Sequence, residues 1–255
     1  MATMPQPNLL LGVNIDHVVT LRQARYRQML ESPNAEPSVL AAALAAEQAG
    51  AHSITVHLRA DRRHIQDADV FLLRREIRTK LNLEMGNTAE ILAIALQVRP
   101  DFVCMVPEHR QEVTTEGGLD VAGQCEALRT TVKALQDNGT RVSMFIDPDL
   151  DQVRASADVG AAMIELHTGT FANSSGTARA AEVARLRAAA ELGHELGLQI
   201  NAGHGLTTSN LPDLWAVPNL AELNIGHHIV SRAVFIGLDA AVREMLAVMA
   251  TYRAS

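Results

Sequence analysis

The chain has 255 residues, 47% hydrophobic and 20% charged, with a formal net charge of -7. Apolar content this high with so little net charge excludes disorder as the main state, and the longest apolar stretch, residues 39–46, is far shorter than the roughly 20 residues a membrane span requires. The acidic balance, with only five Phe, two Tyr and one Trp to stack on bases, speaks against nucleic acid as a partner. Cys104 and Cys125 offer no disulfide framework, and MATMPQP lacks the basic run and apolar region of a secretory signal, so a cytoplasmic location is expected.

Short apolar runs alternate with longer stretches of helical period. A first strand is expected at 9–15, then an Arg-rich loop, then a helix at 37–49 stopped by Gly50. Strands at 53–58, 81–85 and 102–106 lead to helices at 67–78, 88–98 and 119–137. Strand 141–146 precedes helix 152–159, with Gly160 behind it, and strand 163–167 precedes helix 178–196, stopped by Gly197. Strands at 198–202 and 222–225 follow, and a helix at 229–249 ends the pattern. Eight such units predict a (β/α)8 (TIM) barrel, one domain over residues 1–255, with 1–8 as a flexible N-terminal segment. A doubly wound dinucleotide fold is disfavoured, because GVNIDHVVTLRQAR after the first strand contains no G-x-G-x-x-G.

In such a barrel, chemistry gathers where each strand runs into the following loop. Those junctions carry Asn14, Asp16 and His17; His57 and Arg59; Asn82 and Glu84; Glu108; Glu165 and His167; Asn201 and His204; Asn224, His227 and His228. Charged groups are costly in a barrel interior unless paired or functional, yet His or Glu recurs at six strand ends. Gly203, Gly205 and Gly226 follow strands seven and eight, where backbone N–H groups often hold phosphate. The loop HLRADRRH gathers Arg59, Arg62, Arg63 and His64, of which one or two suit a second anion site, the rest being solvated or pairing with Asp61, Asp67 and Asp69.

Only Lys80 and Lys133 are lysines, one before strand three and one within a helix, so neither is placed to form a Schiff base. No H-x-H, H-E-x-x-H or C-x-x-C pattern announces a metal. The remaining set of acid–base groups and anion clamps describes proton transfers on a phosphorylated carbonyl compound.

GVNIDHVVTLRQAR, ITVHLRADRRHI, NLEM, VPEHRQEVTTEGGLDV, IELHTG, NAGHGL and ELNIGH, in this order from about Leu9 to the final helix, resemble the signature segments of the pyridoxine 5′-phosphate synthase family. The resemblance implies a barrel assembled as a homo-octamer, which condenses 3-amino-2-oxopropyl phosphate with 1-deoxy-D-xylulose 5-phosphate without a cofactor. It also implies His57 and Glu84 as general bases, His204 as general acid and Glu165 as a stabiliser of transition-state charge. Asn14 and Arg25 resemble contacts to the amino ketone, and Gly205, Gly226 and His227 its phosphate cradle. Asp16 and His17 resemble contacts to the deoxyxylulose chain, with Arg59, His64 and Thr114 on its phosphate, and residues 108–118 resemble a mobile loop. The stretch YRQMLESPNAEP departs from the family pattern, and Arg22 and Arg27 lie near Arg25. Two other readings stay open: a metal-dependent sugar-phosphate isomerase or epimerase, whose metal the junction histidines would gather in space, and a noncatalytic phosphometabolite-binding protein.

Overall fold

Side-chain alternation along the strands, more than their overall apolarity, decides where this chain puts its core. A computed structural model describes residues 9–108 and 117–253. Eight strands, β1 (Leu10–Asn14), β2 (Ser53–His57), β3 (Lys80–Met85), β4 (Phe102–Met105), β5 (Arg141–Ile146), β6 (Met163–His167), β7 (Gln199–Gly203) and β8 (Leu220–Ile225), pair in parallel in sequence order. Pairing of β8 with β1 closes the barrel. The expected residues 1–8 segment lies outside the described residues.

One set of alternating residues, including Leu11, Val13, Ile54, Val56, Leu81 and Leu83, is fully buried in the main core against the surrounding helices. The other set faces the barrel axis and is largely polar: Ser53, Thr55, Asn82, Ser143, Glu165, Asn201, Glu222 and Asn224 are all buried. Barrel interiors are usually filled by bulky branched side chains. Here, among the described residues, Cys104, Val106 and Phe145 form a small separate apolar cluster, and the polar interior groups must satisfy one another by hydrogen bonds.

The outer layer is α1 (Asp16–Tyr26), α2 (Val39–Ala49), α3 (Asp67–Glu76), α4 (Ala89–Val98), α5 (Cys125–Asp137), α6 (Leu150–Asp158), α7 (Gly169–Asn173), α8 (Gly176–Glu195), α9 (Leu211–Leu214), α10 (His227–Ile236) and α11 (Leu238–Met249). Caps fix several starts: Ser38 Oγ accepts from the Ala41 N–H at 3.2 Å, and Thr88 Oγ1 from Ile91 at 3.3 Å. The helix stops expected at Gly50, Gly160 and Gly197 adopt left-handed backbone angles.

Three differences from the sequence expectation concern the helices. Helix α1 starts directly after β1, inside the segment read as a loop, because its inward face is Asp16, Val19, Arg22 and Gln23, mostly polar residues that leave no apolar period. The long final helix is two, α10 and α11, separated at Gly237 with φ +82°. The helix expected at 119–137 is regular only from Cys125, after a 3-10 turn at Ala122–Gln124.

Candidate active site

Strand register brings the expected acid–base groups to the same end of the barrel. His57 on β2 lies beside Glu84 on β3, which in turn lies beside Cys104 on β4. Phe145 flanks Glu165 on β6, and Gly203 on β7 lies between His167 and Asn224.

On one side, the His57 backbone N–H donates to Asp16 Oδ1 at 2.9 Å, and Asn14 Nδ2 donates to Asp16 Oδ2 at 3.0 Å. His57 Nε2 donates to Glu108 Oε1 at 3.1 Å. Burial works to raise the Glu108 carboxyl, but hydrogen bonds from His57 and from the Ala60 and Gly86 N–H groups hold it below the usual range. With Nε2 engaged by Glu108, the Nδ1 edge of His57 faces Glu84 Oε2 at 3.9 Å, beyond hydrogen-bond distance. Burial, reinforced by Asp16 and Glu165 and opposed by a bond from Asn14, pushes the Glu84 carboxyl well above its ordinary value. A base and a proton-holding carboxyl therefore share one wall.

Glu165 and His204 form the other wall. Burial raises the Glu165 carboxyl to about 7 against a hydrogen bond from Asn224 Nδ2, which lies 2.6 Å from Oε2. Burial and the neighbouring His167, His17 and His227 lower His204 to about 4, so its ring is neutral near pH 7 in the free protein. The His204 and His167 rings meet edge-on at 5.1 Å, and those of His17 and His227 at 5.0 Å, which ties the β1 side to the β8 side. His167 is itself held by Asp147 Oδ1 at 2.8 Å. Gly203 permits the packing: a Cβ there would stand 2.3 Å from Glu165 Oε1.

Two edges of the site suit anions. At the first, Gly205 follows His204, and Gly226 caps α10, whose first turn has no side-chain cap and begins with His227. At the second, Arg59 and His64 are both buried, 3% and 8% exposed. Arg59 contacts Asp61 at 3.4 Å. Its neighbours are committed elsewhere, Arg62 to Asp67 and Glu90 and Arg63 to Asp61, as the composition of the loop suggested. Asp69 is the exception: its carboxylate takes a bidentate pair from Arg22 at 2.8 and 2.6 Å. Arg22 is thereby occupied, whereas Arg25 is exposed on the last turn of α1, 5.8 Å from the Tyr26 ring, and shares no hydrogen bond or ion pair with the cluster among the described residues. Thr114 and most of the 108–118 loop lie outside the described residues.

Asp16, His57 and Glu84 each present one possible metal ligand, with the ligand atoms within 4.8 Å of one another. Asp16 already accepts two hydrogen bonds and Glu84 favours its protonated form, so the trio is better suited to moving protons than to holding a cation. Glu108, Asp147 and Asn224 carry no functional signal in the sequence beyond a place near a strand end; their partners become visible only once the barrel closes.

The family model of the pyridoxal phosphate biosynthesis protein PdxJ matches residues 11–251. A pyridoxine 5′-phosphate synthase from Akkermansia muciniphila is 60% identical over 238 residues, covering 93% of this chain and 97% of that protein. One from Synechococcus sp. is 58% identical with the same coverage. Among solved structures, KGPDC from Streptococcus mutans aligns with a TM-score of 0.67 at 13% identity, over 96% of this chain and 98% of its own, a likeness of fold alone. By sequence, the chain belongs to the PdxJ family of pyridoxal phosphate biosynthesis proteins.

Proposed function

We propose that this protein is a pyridoxine 5′-phosphate synthase: it condenses 3-amino-2-oxopropyl phosphate with 1-deoxy-D-xylulose 5-phosphate to pyridoxine 5′-phosphate, phosphate and water, without a cofactor. The observation that carries this reading is the strand register that brings His57, Glu84, Glu165 and His204 to one barrel mouth, where burial pushes the two carboxyls up and the His204 ring down. Family membership favours it over the metal-dependent isomerase.

The substrate amine condenses with the sugar ketone as an imine, so no enzyme lysine is required. Asn14 and Arg25 would orient the amino ketone, with its phosphate on Gly205, Gly226 and the His227 end of α10. Asp16 and His17 would hold the sugar hydroxyls, and Arg59, His64 and Thr114 its phosphate. His57 Nδ1 takes the first proton, and Glu84, which holds a proton in the free protein, passes that proton on before it acts as base in a later step, each transfer typically worth about 10²–10⁴ in rate. His204 returns protons to the leaving oxygens. Neutral in the free protein, it would be loaded by the phosphate dianion on the adjacent Gly205, which favours the imidazolium. Glu165, poised near neutrality, stabilises positive charge on the imine-derived intermediates.

Supplying both substrates to chelator-treated protein tests the reading: pyridoxine 5′-phosphate and free phosphate should appear in equal amounts, and their absence would refute it. The same reading includes a homo-octamer in the cytoplasm. Val234, Phe235 and Ile236, 69%, 81% and 39% exposed at the end of α10, form an apolar ridge suited to a subunit contact. Light scattering on the purified protein checks the assembly. No helix among the described residues is long and apolar enough to cross a membrane.

A further inference from the structure

We propose that Asn224 is a positioning residue for Glu165, aimed by a hydrogen-bond relay that crosses the barrel interior from β3 through β2 and β8 to β6. Asn82 Nδ2 donates to Thr55 Oγ1 at 3.3 Å, Thr55 Oγ1 donates to Asn224 Oδ1 at 3.0 Å, and Asn224 Nδ2 donates to Glu165 Oε2 at 2.6 Å. All four residues are buried, with Thr55 at 0% and Asn224 at 6% exposure.

The chemistry of the groups fixes the direction of this relay. An amide NH2 can only donate, so Thr55 Oγ1 must accept from Asn82 and spend its single proton on Asn224. That proton goes to the carbonyl oxygen of Asn224, which turns its NH2 toward the carboxylate, an acceptor-only group when ionised. Among the described residues Glu165 has one other side-chain hydrogen-bond partner, the weak Cys104 thiol donor at 3.9 Å. The strong donor to the carboxylate is therefore Asn224, and its orientation is set two residues away. Glycines make room for the arrangement: a Cβ on Gly12 would stand 2.1 Å from Asn224 Oδ1, and one on Gly203 2.3 Å from Glu165 Oε1. A charge-assisted bond between two buried side chains favours the ionised carboxylate against the burial that opposes it.

This proposal rests on the reading of Glu165 as a reacting-site group, and its test separates the two. Thr55→Val keeps the shape of the side chain but removes the hydroxyl; Thr55→Ser restores the hydroxyl; Asn224→Ala removes the donor. Titrating the carbon-13-labelled Glu165 carboxyl by NMR in substrate-free protein, with Glu165→Gln to assign the signal, should show an upward shift of about one unit in Asn224→Ala. A smaller shift of the same sign is expected in Thr55→Val and none in Thr55→Ser. In turnover, Asn224→Ala and Thr55→Val should lower kcat about tenfold or more while KM stays near its original value, with Thr55→Ser close to wild type. If Asn224→Ala does not fold, Thr55→Val and Thr55→Ser carry the same test. An unmoved Glu165 titration in these variants, or a moved titration with unchanged kcat, would overturn the proposal. A wild-type protein that forms no product would instead strike at the synthase reading, leaving the titration as the measure of the relay.

Discussion

Replacing Glu84 by Gln removes an ionisable group from the densest part of the site and almost nothing else. Gln has the same shape and retains an oxygen to accept the bond from Asn14, and the side chain is already 84% shielded from solvent, at 16% exposure. The fold should survive. Turnover should not: loss of a positioned base costs about 10²–10⁴ in kcat, or about 2.7–5.5 kcal/mol of transition-state stabilisation, with KM little changed. Stability should move the other way. A carboxyl raised in the folded state contributes stability that is complete below its unfolded value near 4.5 and is lost as pH rises through the folded value. The Gln variant lacks that loss, so its Tm relative to wild type should rise as pH climbs above about 4.5. Steady-state product formation and calorimetric melting over this range check both halves. Turnover within about threefold of wild type, or a Tm difference that shrinks as pH rises, would refute the reasoning.

His204 should titrate near 4 by NMR in the free protein and move upward on addition of inorganic phosphate; a value unmoved by saturating phosphate would contradict its loading by the bound anion. Because its folded value is depressed below 6.5, it should also contribute a loss of stability as pH falls from 6.5 toward 4, measurable by denaturant titration and absent in His204→Gln. Gly203→Ala forces a methyl group against Glu165 Oε1 and the Asn224 carbonyl, so urea unfolding should show a loss of about 1–3 kcal/mol and turnover should fall; a neutral effect on both would contradict the packing. Arg22→Met leaves the Asp69 carboxylate buried without its cation, at a cost of about 3–5 kcal/mol, which Arg22→Met/Asp69→Leu should largely restore in the same assay.

Much of this was legible in the chain because parallel barrels repeat one local rule. Apolar strands bounded by Gly, Asn, Asp or Pro place all eight β-elements within a residue or two of their observed ends, and the polar residues at those ends mark the reactive face. Helix α1 escaped because burial of Asp16, Arg22 and Gln23 depends on partners 41 and 47 residues distant, which periodicity cannot register. The polar lining of the barrel escaped for a related reason. Ser53 and Thr55 carry no signal within apolar runs, and Asn82 and Asn224 mark only strand ends, until closure brings β8 against β1 and lets Ser53 pair with Glu222 and the other three with one another. Arg25 shows the reverse case: motif position singles it out, while the folded chain places it exposed on the last turn of α1, where neither burial nor a hydrogen-bond partner in the cluster would have marked it.

The central claim is that His57, Glu84, Glu165 and His204 work between two phosphate cradles on one barrel mouth. A crystal structure of the protein soaked with inorganic phosphate tests it most directly. The account predicts two phosphates, one against Gly205, Gly226 and His227 and the other against Arg59 and His64, with the four side chains facing the space between them. Phosphate at only one of these positions, or the four side chains turned toward separate cavities, would contradict it.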